Sequence, residues 1–233
     1  MRSAVQTFNS LLMLCVAVSA AAQPLREIEF SVYGQYPIRG MEYTPVSDVV
    51  AIAVGHAAEA PVTIKTHSLE RTGLYHFTGG NSIAFRDRKT KALLAKVHLA
   101  PESNQWLLIF INNPAYRKDP SNSLKYLIYP FDDSRRNLPK NGIVFLNISG
   151  KALDGLLENK RVQLSAGESG SYPIQESLPI NLWSLDFKGE KLLPALIKTY
   201  HLNPDHRYLM IFFPPVLRGS ANLDVRLLGE AVD

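Results

Sequence analysis

The chain is 233 residues long, 46% hydrophobic and 20% charged, with a formal net charge of +4, 14 glycines, 15 prolines and 1 cysteine. This composition excludes a disordered tail, a collagen and a disulfide-stapled miniprotein. The only long apolar run is N-terminal, which excludes an integral bundle of membrane helices and leaves one or two folded domains with ordinary cores.

Residues 1–22 read as a secretory signal peptide. Arg2 supplies the positive start, Leu11 to Val18 an apolar stretch too short to span a bilayer, and Ala20-Ala21-Ala22 an A-x-A cleavage site before Gln23. Cys15 follows Leu12-Met13-Leu14, which lacks the small residues of a lipidation signal. Cleavage removes one base, no acid and the only cysteine, so the mature chain carries +3 and has no thiol for a disulfide, a nucleophile or a metal ligand. An exported chain of this size without cysteine fits a bacterial periplasmic, outer-surface or secreted protein better than an animal extracellular one. Asn147-Ile148-Ser149 matches the glycosylation acceptor pattern, which in a bacterial setting reads as chance.

Beyond Gln23 the chain is written twice. PVSDVVAIAV (45–54) lies over PKNGIVFLNI (139–148), and GLYHFTGGNSIAF (73–85) over GSYPIQESLPINL (170–182). His98-Leu99 with Pro101 lies over His201-Leu202 with Pro204, WLLIF (106–110) over LMIFF (209–213), and SNSLKYLIY (121–129) over SANLDVRLL (220–228). The period is too long for a solenoid and is the size of a small domain. The expected organisation is a module over 24–120, a connecting strand over 121–131 and a second module over 132–233. By its two analogies, Leu124 to Phe131 either closes the first module or opens the second.

Within a module, strands are expected at 28–33, 49–54, 62–66, 82–86, 92–99 and 105–111. Leu93, Ala95, Val97 and Leu99 alternate with Lys96 and His98, the period of a half-buried strand. WLLIFI and LMIFF are unbroken apolar runs, as expected of central strands covered on both faces. Thr78-Gly79-Gly80-Asn81 between YHF and SIAF is expected to form a hairpin, and the Pro101-Glu102 and Pro204-Asp205 pairs mark turns. The fold class is therefore all-β: two tandem antiparallel β-sandwiches, immunoglobulin-like in the broad sense. Lys151 to Asn159 is the one place where a short helix is expected, with Leu153, Leu156 and Leu157 on one face.

No catalytic constellation stands out. Gly167-Glu168-Ser169-Gly170-Ser171 has the look of a serine-protease nucleophile loop, yet Ser169-Gly170 aligns with Thr72-Gly73 and so reads as a recurring turn. The six histidines are scattered without metal-ligand spacing, so no metal site is expected. The basic tip Arg86 to Lys91 reads as a solvated hairpin rather than a nucleic-acid surface, and without a glycine-rich phosphate loop no nucleotide cofactor is expected. Trp106 and Trp183 both lie in apolar strand context and are expected in the cores.

Duplicated modules diverge in their loops, and loops carry function on sandwiches. The segment 34–44 offers Tyr36 and Arg39 between two glycines and Met41 and Tyr43 just after the second, whereas its counterpart PFDDSRRNL (130–138) is shorter and charged. Tyr and Arg dominate contact hot spots, so these four residues are the candidate binding set. The expected function is that of an exported, non-enzymatic envelope or surface protein acting through protein or ligand contacts, in adhesion, assembly or a structural role. Binding of a carbohydrate is the first alternative, by aromatic stacking on a sandwich face. The signal peptide, the mature length and the two sandwiches together are similar to the architecture of periplasmic pilus-type chaperones, which would imply donation of an edge strand to a subunit. That family's subunit-binding strand and paired basic anchor residues have no match in this chain. A hydrolase is the remaining alternative.

Overall fold

The computed structural model describes residues 25–46, 59–66, 69–185, 189, 191–217 and 219–231. The expected signal peptide and the strand expected at 49–54 lie outside the described residues. The first eight strands are β1 (Arg26–Gly34), β2 (Met41–Tyr43), β3 (Val62–Ile64), β4 (Tyr75–Gly79), β5 (Ser82–Asp87), β6 (Leu93–His98), β7 (Gln105–Asn112) and β8 (Tyr126–Asp132). The next eight are β9 (Gly142–Asn147), β10 (Leu153–Leu157), β11 (Lys160–Leu164), β12 (Ser169–Pro173), β13 (Ser177–Leu185), β14 (Leu192–His201), β15 (His206–Phe213) and β16 (Asp224–Ala231).

These strands form four sheets in two pairs. The first pair is β4-β1-β7-β8 with β3-β2-β5-β6, and the second is β12-β9-β15-β16 with β11-β10-β13-β14. Adding eight to every strand number of the first pair reproduces the second, so the two sandwiches share one topology. They are not wholly antiparallel: β1 runs parallel to β7, and β9 to β15. Those parallel strands occupy the centres of their sheets, where burial on both faces is the rule.

The pairing defines which residues are equivalent. Phe30 stands beside Tyr75 and Trp106, and Ile143 beside Tyr172 and Tyr208. Tyr75 therefore matches Tyr172, as the repeat of GLYHF and GSYPI requires. Trp106 matches Tyr208, so the correct superposition is WLLIFI on YLMIFF, one residue from the WLLIF-on-LMIFF match. A run that is apolar on both faces has no alternation to fix its register, and a one-residue slip goes unnoticed. Likewise GIVFLN in β9 is the counterpart of β1 and not of 45–54. β8 pairs with β7 as β16 does with β15, so Leu124 to Phe131 closes the first sandwich.

The helix expected over 151–159 is instead the β10–β11 hairpin, turning at Glu158-Asn159 with Leu157 opposite Lys160. Leu153, Gly155 and Leu157 alternate with the outward Asp154 and Leu156, a period of two that outweighs the helical spacing of the leucines. Gly155 is required: a Cβ there would lie 2.0 Å from the Asn181 carbonyl oxygen on the neighbouring strand.

Among the described residues the burial forms three cores rather than two. Phe30, Phe85, Leu108 and Phe110 fill the first sandwich, and Phe145, Leu182, Met210 and Phe212 the second. The third lies between the sandwiches, where Tyr33, Leu107, Ile109 and Ile111 meet Val144, Leu209, Ile211 and Phe213. The Tyr33 and Phe213 rings stack there with centroids 6.2 Å apart. The molecule is thus four layers deep, with the β7 and β15 side chains alternating between their own sandwich and the layer between the two. Ile109, Phe110, Ile211 and Phe212 are all buried as expected, but the two isoleucines belong to the middle layer.

Candidate functional site

The structure divides the four residues picked from the 34–44 segment. Met41 and Tyr43 lie on β2 and point into the first core, with 0% and 3% of their surface exposed. Tyr43 packs edge-on against Phe30 at 5.1 Å and donates its hydroxyl to the His76 carbonyl at 2.9 Å, and burial pushes its pKa up to about 12. Tyr36 and Arg39 are exposed. Two of the four are therefore withdrawn from any surface contact. The signal was the alternation itself, because Met-x-Tyr is the period of a strand. Asn147 is also buried, and its amide nitrogen donates to the carbonyls of Lys151, Leu164 and Ser165 at 2.7, 2.9 and 3.0 Å. It pins the loop after β9 and is not placed to accept a glycan. Ser169 opens β12 beside a turn in which Glu168 accepts from the Ser165 amide at 2.7 Å, so the protease-like segment is a structural turn.

Between the sandwiches lies a cleft of about 580 Å³, lined among others by Ser31, Arg71, Asp133, Arg207 and Glu230. Arg71, ahead of β4, pairs with Asp133, at the end of β8, and with Glu230 of β16 at 2.8 Å. Arg207 of β15 holds Glu230 at 2.6 Å and reaches the Asp133 carbonyl at 3.4 Å. The guanidinium groups are taken up by carboxylates, and the set acts as an ionic clasp across the two modules. Among the described residues no group of three or more His, Cys, Asp or Glu is placed to hold a metal ion.

Desolvation raises the Asp133 carboxyl pKa, outweighing the opposing pull of Arg71 and Arg207. A carboxyl whose pKa is raised on folding binds its proton more tightly in the native state. Its contribution to stability is therefore fully present in acid and is lost as pH rises through the native value. Thermal unfolding of Asp133→Asn against the parent should show the difference in Tm moving in the variant's favour from the ordinary carboxyl range toward neutrality. A difference independent of pH would show that Asp133 titrates alike in both states.

A second groove, of about 520 Å³, lies on the outer face of the β11-β10-β13-β14 sheet. Along β13, Leu178, Ile180, Leu182 and Ser184 point inward. Asn181, Trp183 and Leu185 therefore point outward. Trp183 stands opposite Asp154 on one side and Pro194 on the other. The Asp154 carboxylate accepts from Arg161 at 2.9 Å and from Gln163 at 3.4 Å, and the Arg161 hydrogen bond is the chief cause of its lowered pKa. Leu185 and Leu192, 50% and 59% exposed, form an apolar wall, and Lys151 closes one end with a 3.1 Å hydrogen bond to the Leu185 carbonyl.

Trp183 thus departs from the core position expected of it, whereas Trp106 is buried and donates its indole N–H to the Ser103 carbonyl at 3.0 Å. NLWSL looks apolar throughout, but only Leu182 and Ser184 face inward. In the first module the equivalent pair is Arg86 opposite Glu42. Glu42 is buried and bound to Lys91 at 2.7 Å. Among the described residues, the tryptophan-walled groove is found on the second copy. Neither a comparison with protein-family models nor one with characterised proteins returns a match.

Proposed function

We propose that this is an exported, non-enzymatic binding protein that works by surface contact at a bacterial cell envelope, with the Trp183 groove as its contact site. One observation carries the reading: on a scaffold built twice, only the second copy turns a tryptophan and two leucines outward around a groove. Large apolar side chains gathered at a concave, polar-rimmed surface mark interaction sites. The signal-peptide pattern of residues 1–22 supports export.

The test is co-sedimentation of the mature protein with envelope fragments of the source organism. Wild type is expected in the pellet, with an N-terminus at Gln23. The variant carrying Trp183→Ala, Leu185→Ser and Leu192→Ser is expected in the supernatant with its Tm nearly unchanged, since all three side chains face outward. Equal sedimentation of the two proteins, or none by wild type, would remove the groove from the role.

A further inference from the structure

Resting on that reading of the groove, we infer that its ligand is a carbohydrate, and specifically an uncharged pyranose polymer. The groove sets a flat aromatic group beside directional hydrogen-bonding groups. A pyranose ring has one face of C–H bonds, which lies against an indole, and a rim of hydroxyls that both donate and accept. Trp183 supplies the platform. Asp154 stands directly across from it, and Gln163 across from Asp154 on the next strand. A carboxylate and an amide at that spacing can take two neighbouring hydroxyls, and the Arg161 hydrogen bonds hold the carboxylate ionised and oriented.

The same groups argue against other occupants. A phosphate or nucleic-acid strand would lie beside the Asp154 carboxylate, and the Arg161 guanidinium is already bound there. A protein partner would favour a charge-depleted centre, whereas here a carboxylate, that of Asp154, stands directly opposite the Trp183 platform. The cleft between the modules is a poorer candidate, because its Arg71 and Arg207 are spent on Asp133 and Glu230.

The decisive experiment uses the same envelope fragments after two treatments. Periodate cleaves sugar rings that carry vicinal diols, as the residues of 1,4-linked glucans do, and protease removes proteins. Retention of wild type that survives protease and is lost after periodate supports the inference. Retention that survives periodate and is lost after protease overturns it and leaves the contact site standing. No retention on untreated fragments overturns the contact site itself.

A second arm identifies the sugar. Trp106 is buried, so Trp183 is the tryptophan open to quenching, and its emission is titrated with cellohexaose and maltohexaose. Saturable quenching by at least one of them is expected if it resembles the natural polymer. Asp154→Asn, which leaves the sheet intact, should weaken binding by about tenfold, the worth of one charge-assisted hydrogen bond. Trp183→Ala should weaken it by at least as much. Unaltered retention of both variants on the fragments would overturn the inference.

Discussion

Truncation of Phe110 or Phe212 to alanine is expected to lower the unfolding free energy by about 3–5 kcal/mol, the usual penalty for emptying an aromatic site in a packed interior. Both side chains are fully enclosed. Phe110 meets Phe85 edge-on at 5.1 Å and Tyr126 at 6.4 Å. Phe212 stacks on Phe145 at 5.8 Å, nearly parallel at 5°. Neither cavity can close by a small movement, because Phe85 and Phe145 are held by strands paired on both sides. Urea denaturation followed by far-UV circular dichroism measures the loss. A value below about 1 kcal/mol, in the range of surface substitutions, would show that the strand is not packed as described.

Ile211→Asp should have a larger and different effect. Ile211 is fully buried in the layer between the sandwiches. A carboxylate there has no partner and must either be desolvated or force the sheets apart, at a cost of several kcal/mol. The conservative Ile211→Val removes one methyl group and should cost about 0.5–1.5 kcal/mol. The informative readout is Trp106, which sits in the first core while the substitution sits in the second module. If the middle layer couples the two, the variant's Trp106 emission and its circular dichroism change at one lowered urea midpoint. A Trp106 transition left at its parental midpoint would show that the first sandwich stands alone.

Much of the architecture is legible in the chain because β-structure announces itself by alternation and by turn residues. The tyrosines of the GLYHF and GSYPI segments and the two-sided burial of WLLIFI follow from pattern, whereas the hairpin expected at Thr78 to Asn81 is instead a crossing between sheets, since β4 pairs with β1 and β5 with β2 and β6. Legibility fails where the pattern degenerates. Register is invisible in a run that is apolar on both faces, which is why the match of β7 to β15 slips by one residue. The leucines of 151–159 satisfy both a helical and a strand spacing, and only pairing with β13 decides between them.

The candidate site was hidden for a related reason. Met41 and Tyr43 have the chemistry of contact residues but the spacing of core ones. Trp183 has apolar neighbours but the outward parity of its strand. Composition says what a side chain could do, and parity decides whether it is presented.

The middle layer has a further consequence. The residues that meet there are the same positions of the two copies: Leu107 and Leu209, Ile109 and Ile211, Ile111 and Phe213. A surface that contacts its own equivalent is the hallmark of a twofold dimer. Here the two halves are one polypeptide, so the association holds at any dilution. The arrangement also frees each half from identity with the other. In a true homodimer a change such as arginine to tryptophan at the position of residues 86 and 183 would appear on both subunits at once. Fused, the molecule carries it on one end only, and the two outermost sheets face away from each other with different chemistry.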